Sequence, residues 1–180
     1  MAATTATSLP EQLASGSLAG DWVLDPARSR VALATRSMWG LAPVRGTFGT
    51  VSGEGTVATG GRISGAITVG AASVDTGIKR RDEHLRSADF FDAATHPSIT
   101  FTSQHVAATT DGLTVTGLLR VRDRTDSLTF PVSVTPAADG SVQLDTEIVV
   151  DRSGFGLTWS PLRVASMRTT ITVRAVFVRR

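Results

Sequence analysis

The side chains best equipped for chemistry lie together in this sequence. Lys79, Arg80, Arg81, Asp82, Glu83, His84 and Arg86 crowd the stretch 79–86, and Phe90-Phe91 follow directly. An imidazole next to a carboxylate offers acid–base work or a metal site. His84, His96 and His105 are too far apart in sequence to match any metal-ligand spacing. The chain has no cysteine, which excludes thiolate ligands, Cys nucleophiles and disulfides. No nucleophile elbow frames a serine, and the Gly-rich segments precede strands rather than a helix, so no phosphate cradle is expected. The plainer reading is structural: Asp82 caps or pairs with neighbouring arginines, and His84 hydrogen-bonds a strand end to pin a helix. No catalytic residue, metal ligand or cofactor is assigned.

The elements that must hold this cluster are legible around it. Residues 79–87 lack Gly, Pro and β-branched side chains, which predicts a short helix, with the Thr76 hydroxyl as its N-cap and Leu85 on one face with Ile78. Pro97 blocks further helix before Ile99 and Phe101 resume a strand. Elsewhere the pattern has period two. Val142, Leu144, Thr146, Ile148 and Val150 alternate with Gln143, Asp145 and Glu147. Similar rows run through Val31–Thr35, Ile63–Val69, Val115–Val121, Leu128–Val134 and Ile171–Phe177. Such alternation marks antiparallel strands with one dry face. Turn clusters at Thr59–Arg62, Thr110–Gly112 and Ala138–Gly140 separate about eight to ten strands. Many strands and one helix fit either a closed barrel or a two-sheet sandwich, and the helix placement, as a lid at one end, favours the barrel. The glycines from Gly46 to Gly55 read as bulges or bends.

Four sub-motifs occur in order along the organising stretch: Val74-Asp75-Thr76-Gly77, Arg81-Asp82-Glu83-His84-Leu85, Asp89-Phe90-Phe91-Asp92 and Pro97-Ser98-Ile99-Thr100-Phe101. Together they resemble the hallmark of the YceI-like, polyisoprenoid-binding proteins. Ser29-Arg30-Val31, Val44–Phe48, Gly117-Leu118-Leu119 and Asp151–Gly156 extend the resemblance over about Gly20 to Val178. It implies an all-β fold, an eight-stranded antiparallel lipocalin-like barrel with an apolar lumen. It further implies a binding or carrier function for an isoprenoid, an isoprenoid quinone or a similar lipid-like chain. The ligand-binding candidates are Leu33, Trp39, Phe48, Ile67, Phe90, Phe91, Phe101, Leu119, Phe130, Leu144, Phe155, Trp159, Ile171 and Phe177. Gly65, Gly117 and Ala175, on the same dry faces, are read as leaving volume for the chain. The sequence departs from its relatives at Ser37, where they often place a His, and at the mid-chain turn Asp123–Ser127. There, Asp123 is expected to tolerate a left-handed conformation.

The alternative is an enzyme acting on a prenylated or otherwise apolar molecule in the same cavity. A buried polar cluster drawn from Arg36, His105, Arg152 or Arg174 would mark it. Composition fits one domain: 180 residues, 41% hydrophobic, 18 basic against 16 acidic side chains. A net charge of +2 without a long basic block argues against nucleic-acid binding. The first twenty residues show neither a basic n-region nor an apolar run. The expectations are therefore a flexible tail over residues 1–18, a barrel domain over 19–180, no membrane insertion and a cytoplasmic location. Self-association into a homodimer stays open.

Overall fold

The computed structural model describes residues 8–37, 41–160 and 165–180. Eleven strands form one antiparallel sheet: β1 (Gly20–Leu24), β2 (Arg30–Ser37), β3 (Ala42–Phe48), β4 (Val51–Val57), β5 (Ile63–Gly70), β6 (Val74–Asp75), β7 (Ser98–Thr109), β8 (Gly112–Val121), β9 (Arg124–Pro136), β10 (Val142–Asp151) and β11 (Arg168–Arg179). The sheet closes where β1 pairs with β11, Trp22 opposite Arg179 and Leu24 opposite Phe177.

Three of the barrel's staves are broken. β1 and β2 lie end to end along β11, β1 against its last residues and β2 against Thr169–Arg174. β3 and β4 likewise form one stave, with β3 on β2 and β4 on β1. The third is β5 and β6, joined through a 3-10 turn at Ala71–Ser73. With β7 to β11 the count is eight, so the expected eight-stranded barrel is present, drawn from eleven segments. The β3–β4 stave explains one glycine of the 46–55 run. A Cβ on Gly46 would stand 2.8 Å from Thr76 Cγ2 and 3.1 Å from the Asp75 carbonyl oxygen, so this glycine admits the close approach of β6.

Alternation holds on every long strand, with one slip. On β10, Val142, Leu144, Thr146, Ile148 and Val150 face inward, while Glu147 and Val149 are exposed. The slip is a bulge in β7: Ser103 pairs with Gly117 and His105 with Thr116, leaving Gln104 over. The extra residue moves the inward set from Ser103 to Val106. His105, expected on the face of Ile99, Phe101 and Ser103, is therefore exposed. The mid-chain turn also differs: Arg122, not Asp123, adopts the left-handed conformation, with φ 56°.

Two helices lie at opposite ends. α2 (Lys79–Arg86) stands where the helix was expected, but its N-cap is Ile78 and no side chain caps it. Ile78 is 52% exposed, so it does not share a packed face with Leu85. α1 (Leu9–Ala14) replaces part of the expected tail. Ser8 and Glu11 form a reciprocal capping box, and Leu13 is buried. No helix among the described residues is long and apolar enough to cross a membrane.

At the α1 end, the β9–β10 turn is fastened by Asp139. It accepts hydrogen bonds from the Ser141 N–H and hydroxyl and from Arg28. Those bonds, Ser141 first, hold its pKa down from the usual 3.8 to about 2. A carboxyl depressed on folding stabilises above its unfolded pKa and loses that contribution as pH falls through the folded value. Asp139→Asn is thus expected to flatten the loss of stability between about pH 4 and 2. Urea melts across that range check it; an unchanged acid slope would refute the assignment.

Candidate functional site: an apolar lumen with one polar end

The inward rows do not meet at the barrel axis. They enclose a cavity of about 630 Å³, within the range of roughly 300–1,000 Å³ usual for small-molecule sites. Its wall is built from the dry faces of the strands. Leu33 of β2, Phe48 of β3, Ile67 of β5, Phe101 of β7, Leu119 of β8 and Phe130 of β9 contribute, as do Leu144 of β10 and Ile171 and Phe177 of β11. Phe90, Phe91, Phe155 and Trp159 border it at the α2 end. Thirteen of the fourteen candidate residues thus line one cavity; Trp39 lies outside the described residues. Leu33, Ile67, Phe101, Leu144, Ile148 and Ile171 are only half-buried although they point inward. A filled core would bury them fully, so their residual surface belongs to the void.

The three small residues divide. Gly65 and Ala175 border the cavity. Gly117 does not: a Cβ there would sit 2.4 Å from the Thr102 carbonyl oxygen and 2.5 Å from the edge of the Phe101 ring. The glycine is a seat for Phe101, whose ring also lies 5.2 Å from that of Phe130. Its missing side chain makes room for an aromatic wall rather than for a ligand.

The α2 end is built by local hydrogen bonding. Thr76 donates its N–H and its hydroxyl to Asp82 Oδ1 at 2.8 and 2.5 Å. Arg81 in turn donates to the Thr76 hydroxyl at 2.7 Å and to its carbonyl at 3.0 Å. Asp82 is buried and serves structure, though through Thr76 rather than by pairing with an arginine. Beyond the helix, the Phe91 N–H reaches the Leu85 carbonyl and the Ala93 N–H that of Arg86. This wrap holds Phe90 and Phe91 edge to face at 4.8 Å, and Phe91 against Phe48 at 6.0 Å. Arg122, at the left-handed turn, donates to the Phe90 carbonyl. Asp82→Ala is expected to cost about 1–3 kcal/mol, the usual loss when buried partners are left unsatisfied. A thermal melt checks it, and a melt matching wild type would remove Asp82 from this role.

Two further side chains face the lumen here. Arg152 is only 5% exposed, yet no carboxylate pairs with it within 4 Å among the described residues. It donates to the carbonyls of Leu157, Trp159 and Ser166 and lies 5.5 Å from the Phe90 ring centroid. Burial lowers its pKa below the ordinary guanidinium value, but a guanidinium stays charged at any physiological pH. His84 packs its ring on Trp159, centroids 3.9 Å apart. Its Nε2 is buried and has no hydrogen-bond partner, so that nitrogen does not pin a strand end as expected.

Arg81, His84 and Arg152 border the lumen together at this end. At the other, Glu54 and Thr56 border it but are themselves exposed, and the Ser103 hydroxyl accepts the Gly65 N–H at 2.8 Å. Of the four residues that would have marked a catalytic cluster, only Arg152 reaches the cavity. Arg36, His105 and Arg174 are exposed, Arg174 paired with Asp145 at 3.0 Å. No group of three or more metal-ligating side chains occurs among the described residues. Sequence reasoning names Arg152 for a buried polar cluster but does not reach the His84–Trp159 contact, which depends on how the 151–160 segment folds over the lumen.

Comparison with known proteins places this architecture. A family model described as a YceI-like domain matches residues 22–178. Protein YceI of Escherichia coli O157:H7 is 40% identical over 73 residues, 41% of this chain and 38% of the relative's length. The match therefore spans well under half of that protein. Burkholderia cenocepacia BcnA superposes with a TM-score of 0.76 at 25% identity, covering 85% of this chain and 98% of that one. A polyisoprenoid-binding domain from Saccharophagus degradans, implicated in plant cell wall breakdown, gives 0.75 at 17% identity over 88% and 98%; at that identity it speaks for the fold alone. The barrel, the lid motifs and the span of the family match agree, and the chain belongs to the YceI-like family.

Proposed function

We propose that this barrel is a binding protein, a carrier that holds an isoprenoid, an isoprenoid quinone or a similar long apolar chain in its lumen. The observation that carries this reading is a continuous cavity that reaches from α2 to α1, walled mainly by leucine, isoleucine, valine and phenylalanine. Each methylene drawn into such a wall contributes about 0.8 kcal/mol, so a chain needs few polar contacts to bind. Arg81, His84 and Arg152 give the α2 end hydrogen-bonding groups, and there the head of the ligand is oriented, with His84 Nε2 gaining the partner it lacks.

The carrier reading is favoured over the enzyme by the chemistry of those groups. Arg152 spends its donors on backbone carbonyls and cannot exchange a proton near neutrality. Among the described lining residues His84 is left as the one histidine, and the one carboxylate, Glu54, borders the lumen at the other end. Acid–base catalysis works through partners within hydrogen-bond reach. Native mass spectrometry of freshly purified protein, followed by solvent extraction, tests the proposal. Protein carrying a stoichiometric apolar chain is expected. Empty protein that also fails to take up an added prenyl alcohol would refute it.

A further inference from the structure

We infer that α1 closes the far end of the lumen and sets the longest chain the barrel accepts. The inference rests on the carrier reading and adds to it the selection of ligand by length. α1 lies outside the stretch matched by the family model, which begins at residue 22. Leu9, Leu13 and Leu18 nevertheless border the same cavity as His84 and Arg152 at the opposite end. Leu13 is 6% exposed, and Leu9 packs on the wall formed by Leu113, Val115, Phe130 and Val132.

A helix of six residues does not hold itself in water, so its position is fixed by its surroundings. The capping box of Ser8 and Glu11 closes its first turn, and two anchors fix the segment that follows. The Leu18 carbonyl accepts the Trp22 indole N–H at 3.1 Å. The Ser17 carbonyl accepts from Arg179 at 2.7 Å, and that guanidinium also lies 5.1 Å from the Trp22 ring centroid. The anchors tie the segment to both strands that close the barrel. A chain whose head is held among Arg81, His84 and Arg152 must point its tail toward α1. Leu9 and Leu13 then act as an end stop, and any further carbon either displaces the helix or stays in water.

The test uses the full chain and a ladder of all-trans prenyl alcohols, each longer by one isoprene unit, with binding read by native mass spectrometry. Wild type is expected to gain about tenfold or more in affinity with each added unit up to a limiting length and to gain nothing beyond it, since only buried methylenes carry the affinity. Leu9→Ala and Leu13→Ala should move that limit to longer chains, and Leu9→Trp to shorter ones, with short probes bound as by wild type. Leu9 is only half-buried, so its variants keep the test valid if Leu13→Ala unfolds. A limit that stays fixed in both Leu9 variants while short probes still bind overturns the inference. A wild-type protein that binds no member of the ladder refutes the carrier reading itself, and the inference falls with it.

Discussion

Ile171→Trp is expected to leave the barrel folded and abolish the proposed uptake of an apolar chain. Ile171 sits in the first third of β11, opposite Ile148 on one side and Leu33 on the other. All three border the lumen and are half-buried. An indole placed there extends into the void rather than into packed neighbours. Over-packing typically costs 1–3 kcal/mol because side chains and backbone must shift; here the extra atoms have somewhere to go. The cost should stay under about 1 kcal/mol, a fall in melting temperature of about 2–4 °C for a chain of this size. Loss of lipid should be nearly complete, because the ring occupies the path between the two ends. Thermal melts and solvent extraction on the same sample decide it. A variant that retains a full complement of lipid would show that the chain does not pass Ile171, and would move the binding site out of the lumen.

Most of the wall was readable in the sequence because a barrel asks so little of it. Each inward row needs only an apolar residue at every second position; Ile171–Phe177 supplies it throughout and Val142–Val150 with the single exception of Thr146. What alternation cannot report is a residue that leaves the count. Gln104 does so in β7, and from there the inward set moves to Val106 while His105 turns to solvent. Nothing in the local composition marks that bulge. α1 is a different kind of miss. Ser8-Leu9-Pro10-Glu11 carries both a capping-box pair and a proline in the first turn, signals that do announce a helix start. The helix is so short that its existence depends on Leu9 and Leu13 finding the open end of a barrel formed by residues far along the chain. The polar end was half legible. The charged cluster at Lys79–Arg86 stands out, but the residues that complete it, Arg152 and Trp159, come from a segment with no periodicity. Arg152 is a lumen candidate on sequence, but the three backbone carbonyls that hold it there are assembled only by the fold.

Gly117→Leu, by contrast, is expected to damage the fold, although alternation places the position in an inward row. β8 offers its inward side at Val115, Gly117, Leu119 and Val121, and on pattern alone the glycine looks like volume set aside for a ligand. The geometry says otherwise. Even a methyl group would fall 2.4 Å from the Thr102 carbonyl oxygen, an atom of the neighbouring strand's backbone, and 2.5 Å from Phe101 Cζ. The ring could swing away into the lumen, but the carbonyl could move only with β7. That strand is constrained on both sides, paired with β5 through Phe101 and Thr102 and with β8 through the same residues. It is also already bulged at Gln104. The substitution therefore forces a backbone shift at the least adaptable point of the barrel, and its cost should reach or exceed about 3 kcal/mol, the upper end for over-packing. For a chain of this size that corresponds to a fall in melting temperature of about 6–12 °C. Any lipid lost would be lost through distortion of the wall. The pair of variants separates the two effects: Ile171→Trp blocks without unfolding, Gly117→Leu unfolds without being aimed at the ligand. If Gly117→Leu melts within 2 °C of wild type (roughly 1 kcal/mol or less), Phe101 does not rest on Gly117, and the aromatic wall between β7 and β9 is not fixed in the way the structure describes.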